Sequence, residues 1–124
     1  MLKRPRKAKR ASVEASLQDA ILNDGLVLAM EFGPNWLEPI QARLRQKYPQ
    51  LSDSELDEYD SACRTAMDFG NETVASLAHE TKKNPKYDDF EVRFQSRYAW
   101  ASPSTMSRLF SQGMYYLWKD GGVE

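Results

Sequence analysis

The apolar run from Leu56 to Leu77 most constrains how this chain can fold. Leu56, Tyr59, Cys63, Ala66, Gly70, Val74 and Leu77 recur at spacings of three and four, one continuous helical face. Just ahead of them, Ser52 and Glu55 have the spacing of a capping box, in which each side chain satisfies the other residue's free backbone amide. The pattern predicts a helix from about 53 to 81. A one-sided helix of that length draws its stability from other elements packed on its stripe, so the rest of the chain has to supply them. Gly70, lying on the stripe, predicts either the close approach of a second helix or a kink.

The flanking segments carry the same period. Ser12 is a candidate cap for a first helix with Val13, Leu17, Ala20 and Ile21 on one face. Asn23, Asp24 and Gly25 suit either a tight turn before a strand or the interior of a helix running on to Phe32; helix is favoured, with Gly25 as a soft point. Gly33 and Pro34 predict a break. Leu37, Ile40, Leu44 and Tyr48 then give a short amphipathic helix that Pro49 ends. From 84 to 100 two periods compete. Phe90, Val92, Phe94, Tyr98 and Trp100 alternate with polar residues as in a half-buried strand, while Tyr87, Phe90, Phe94 and Tyr98 fit a helix face with Asn84 and Pro85 at its start. A lone strand would have no partner, which favours helix. The last helix starts at Ser102, carries Met106, Leu109, Phe110, Gly113, Met114 and Leu117, and stops at the glycines 121 and 122. The expected fold is therefore all-α: a bundle of four to five helices over 12–120, a disordered basic arm over 1–11, and a short tail over 121–124.

Charge is unevenly spread. The chain of 124 residues has a net charge of -1. Lys3, Arg4, Arg6, Lys7, Lys9 and Arg10 all fall in the first ten residues, which leaves 11 basic against 18 acidic residues in the remainder. A basic arm on an acidic body suits an electrostatic grip on nucleic acid, and its composition also matches a nuclear import signal. No apolar stretch follows the basic residues as a secretory signal requires, and the longest apolar patch is too short to span a membrane. With a single cysteine and a single histidine, neither a disulfide framework nor a thiol and imidazole zinc site is expected. No cofactor or metal is anticipated. The expected location is the cytoplasm, or the nucleus in a eukaryote.

Three features are candidate sites. The segment from Ser102 to Phe110 has the character of a recognition helix in a helix-turn-helix unit, with Ser104, Thr105, Ser107 and Arg108 facing outward; the same residues also make an ordinary capped helix start, with Ser102 as N-cap and Pro103 after it. Asp53, Asp57 and Asp60 lie on the outer face of the long helix, where a basic partner would meet them. Tyr115, Tyr116 and Trp118 make the last helix apolar almost all round, more than a one-sided surface helix needs. Phosphate loops, nucleophile elbows and paired zinc-binding histidines have no counterpart in the chain, and Cys63 sits on the apolar stripe as a structural thiol. The expected role is that of a non-enzymatic regulatory or adaptor protein, its partner another protein or a second copy forming a homodimer. Nucleic acid held by the basic arm and the 102–110 element is the alternative.

Overall fold

The computed structural model describes residues 5–31 and 39–119, with side chains from residue 16 onward. Five helices and no strand are found among them: α1 Pro5–Ala29, α2 Gln41–Lys47, α3 Asp53–Thr81, α4 Tyr87–Arg97 and α5 Pro103–Lys119. None of these helices is long and apolar enough to cross a membrane.

Helix α3 is the axis of the bundle and packs against each of the other four. Its capping box is complete: the Glu55 amide donates to Ser52 Oγ at 3.1 Å, and the Ser52 amide donates to Glu55 Oε1 at 2.9 Å. Leu56, Cys63, Ala66, Gly70, Val74 and Leu77 are all buried, as the stripe requires. Gly70 marks a close approach: a Cβ there would stand 2.3 Å from Leu109 Cδ2 on α5. The contact is reciprocated from α5, where a Cβ on Gly113 would stand 2.6 Å from Val74 Cγ2. Two glycines, one on each helix, thus seat the partner helix's aliphatic side chain.

Helix α1 runs unbroken through Asn23, Asp24 and Gly25, so no turn or strand forms there. It begins at Pro5, upstream of the start expected at Ser12. Proline fits the first turn of a helix, where its missing amide has no partner to lose, and the helix passes through the proposed border between arm and body. The break expected at Gly33 and Pro34, the contribution of Leu37 and the tail over 121–124 lie outside the described residues. Ile40 and Leu44 bury the apolar face of α2.

The contest at 84–100 is decided for helix. Phe90 and Phe94 are fully buried while Val92 is 73% exposed, which a strand placing all three on one face would not allow. The helix starts later than Asn84 and Pro85 suggest, with Lys86 in the N-cap position and no side-chain cap. Its aromatic face packs on Phe69 of α3 and Phe110 of α5 through ring contacts at 5.4 to 6.0 Å. Asn23 fastens α1 to the α4–α5 turn: its Nδ2 donates to the Trp100 carbonyl at 2.8 Å and its Oδ1 accepts from the Ser102 amide at 2.8 Å.

Candidate functional site

Ser102 caps α5. Its Oγ accepts from the Thr105 amide at 3.2 Å and lies 2.9 Å from Thr105 Oγ1. Thr105 is consequently buried, 2% exposed, and turns inward with Met106 and Leu109. This corrects the expectation that Thr105 faces outward to read a base edge. Ser104, Ser107 and Arg108 are exposed as expected. Thr105, Leu109 and Gln112 follow spacings of four and three, so the periodicity of the helix already placed Thr105 on the inner face.

Of the basic residues near the start, Arg6, Lys7, Lys9 and Arg10 fall on the first turns of α1, whereas Lys3 and Arg4 lie outside the described residues. The acidic candidates keep to the surface, Asp53 and Asp57 exposed and Asp60 half-buried, and each has a partner on the same molecule. Asp53 pairs with Arg45 of α2, Asp57 accepts from Gln41 Nε2 at 3.1 Å, and Asp60 pairs with Arg64 at 3.2 Å while facing the Ile40 amide at 3.5 Å. Asp53 and Asp57 thus touch α2 through exposed surface contacts, whereas the Asp60 ion pair stays within α3.

The aromatic candidates divide. Tyr116 is half-buried, but Tyr115 is 46% and Trp118 77% exposed, on a helix whose opposite face is locked into the core by Met106, Leu109 and Gly113. An open groove of about 580 Å³ lies beside them, lined by Met30, Ser107, Arg108, Ser111, Gln112 and Tyr115. Gln112 forms its floor: it is buried, its Nε2 donates to the Met30 carbonyl at 3.4 Å and its Oε1 accepts from Asn71 at 3.2 Å. A second groove, about 350 Å³, is lined by Asn84, Ser111, Met114, Tyr115, Leu117 and Trp118. The two share Ser111 and Tyr115 and so run side by side along α5. Met30, Asn84, Ser111 and Gln112 were not among the expected site residues. Met30 and Asn84 reach α5 through the tertiary fold, and nothing in the local pattern marks them.

Groups suited to bond-making chemistry are held elsewhere. The Cys63 thiol is buried between α1 and α3, 3.5 Å from the Leu22 carbonyl, and burial, reinforced by the charge of Asp60, pushes its pKa up to about 12. Burial and a 2.5 Å hydrogen bond to Asp24 likewise push the Tyr48 phenol up to about 12. Among the described residues no cluster of three or more His, Cys, Asp or Glu is arranged to hold a metal ion. No protein-family model, curated protein or solved structure matches this chain.

Proposed function

We propose that the chain is a non-enzymatic binding protein of regulatory or adaptor type, whose working surface is the aromatic face of α5. The observation that carries this reading is the exposure of Trp118 and Tyr115 beside two contiguous grooves, on a helix already anchored by its other face. An indole left in water contributes nothing to folding; covered by a partner, it becomes the kind of aromatic anchor that dominates binding energy. Arg108, at one end of the same face, adds a fork of donors for a partner's carboxylate or carbonyl.

Because Trp118 has so little surface buried, Trp118→Ala should leave folding stability within about 0.5 kcal/mol of the parent while removing most of the binding. A photo-crosslinking side chain placed at Ser111, in host cells, tests the reading, since Ser111 lines both grooves. The expected result is one or a few discrete adducts, with another protein or with a second copy, that disappear when Trp118→Ala is added. Absence of adducts, or adducts indifferent to Trp118→Ala, would remove α5 as the working surface.

A further inference from the structure

Resting on that reading, we infer that the partner presents an acidic amphipathic helix, its apolar side chains entering the grooves along α5 and its carboxylates meeting a cationic rim. The two grooves described above continue into a third, lined by Leu77, Thr81, Lys83, Asn84, Pro85, Lys86 and Asp89, which shares Asn84 with the second. Among the described residues of the three linings, the charged ones are Lys83, Lys86 and Arg108 against the carboxylate of Asp89. Immediately beside them in sequence, Lys82 and Lys119 are exposed, as is Asp88, while Glu31 and Glu80 are paired with Arg43 and Arg93; α5 itself contains no acidic residue.

This is a local reversal of sign, because outside its first ten residues the chain carries 18 acidic residues against 11 basic. Helix dipoles account for part of it: Lys82 follows the C-terminus of α3 and Lys119 ends α5, where cations are favoured. They do not account for Lys86, which stands at the N-terminus of α4, or for Arg108, which lies in the N-terminal half of α5. Neither of those two forms an ion pair among the described residues, and neither do Lys82, Lys83 and Lys119, although the Lys119 ammonium lies 6.0 Å from the centre of the Tyr115 ring. Cations that outnumber the carboxylates around such a trough, and that form no ion pair among the described residues, are complementary to a segment that combines carboxylates with apolar side chains. From Arg108 to Lys119 the trough runs roughly 16 Å along α5, about three helical turns. That length suits a helix laid in a groove, read through side chains at helical spacing.

The test is an amide chemical-shift titration of the intact protein by NMR with two designed peptides. Both are helical with leucines at helical spacing; one carries glutamates on its other faces and the other carries lysines. The glutamate peptide should shift residues 82–86 and 107–119, and its affinity should fall about tenfold or more from low to high salt. The Lys83→Glu and Lys86→Glu double variant should weaken it by a similar factor with its circular dichroism unchanged, and the lysine peptide should move nothing. Equal response to both peptides would overturn the acidic partner in favour of apolar docking alone. Shifts of the same amides by oligodeoxythymidine or by anionic phospholipid vesicles, without response to the glutamate peptide, would assign the trough to nucleic acid or to a lipid surface. If neither peptide acts but the Ser111 adduct forms and depends on Trp118, the docking surface stands and the acidic chemistry falls. If no adduct forms, both fall together.

Discussion

Gly25 and Cys63 meet where α1 crosses α3, and the thiol's environment follows from that contact. A Cβ on Gly25 would stand 2.7 Å from Cys63 Sγ, closer than packed atoms tolerate. Gly25→Ala should therefore destabilise the protein by about 1 kcal/mol, the overpacking exceeding the gain in helix propensity. In a Cys63→Ala background the obstacle is gone, and the same change should become neutral or stabilising; urea unfolding of the four proteins measures the coupling. The soft point read at Gly25 from sequence is thus a packing site, because only the fold brings the thiol beside it. Burial also ties this contact to pH. The folded thiol keeps its proton up to about 12, whereas an unfolded one begins to lose it near 9. Stability is fully present below the lower value and declines as pH rises between the two, since the unfolded chain then binds fewer protons. Tyr48 adds a like decline from about 10 to about 12. Chemical unfolding across this range should show the loss, and Cys63→Ala should remove the part that begins nearest pH 9.

At the scale of elements, legibility followed the strength of each pattern. The reading of α3 from its stripe and capping box agrees with the structure at both ends, because local capping and long-range packing favour the same residues. α4 carried two periods at once, and only the tertiary fold, which leaves Val92 in solvent, separates them. The start of α4 was misplaced because Asn84 and Pro85 are good starting residues that the chain uses in the connection after α3 instead. That connection contains the one residue with left-handed backbone among the described non-glycine residues, Lys82, at φ 59°. It closes α3, its amide donating to the Ala78 carbonyl at 2.9 Å, at a position where glycine is the ordinary choice. Lys82→Gly should consequently raise stability by about 1 kcal/mol in urea unfolding, since it relieves the steric cost of that conformation. If the rim of the α5 trough acts as inferred, the same substitution should weaken the glutamate peptide. A gain in stability joined to a loss in binding would separate the two roles of this lysine.

For the molecule as a whole, one buried cluster draws on all five helices, through Leu26, Leu44, Val74, Phe94 and Leu109 among others. Sequence pattern was sufficient for this much, because apolar residues at helical spacing can be covered only by one another. It was insufficient for the trough, whose walls come from the end of α1, the α3–α4 connection and the outer face of α5, three segments that no local period relates. The same centralisation governs how the bundle should come apart. α3 packs on every other helix, and at the α3–α5 crossing Leu109 fills the space left by Gly70 while Val74 fills that left by Gly113. Loosening α5 would withdraw Leu109 and Phe110 from the core and expose the aromatic face of α4, whose Phe90 ring lies 5.4 Å from Phe110. No helix in the described bundle can leave without uncovering another's apolar stripe. Thermal or urea unfolding should then be a single transition, with the near-ultraviolet circular dichroism of the aromatic cluster and the far-ultraviolet signal of the helices falling on one curve. An aromatic signal lost ahead of the helical one would mean instead that α4 and α5 detach as a unit. The trough on α5 would then be the part of the molecule most readily remodelled by a partner.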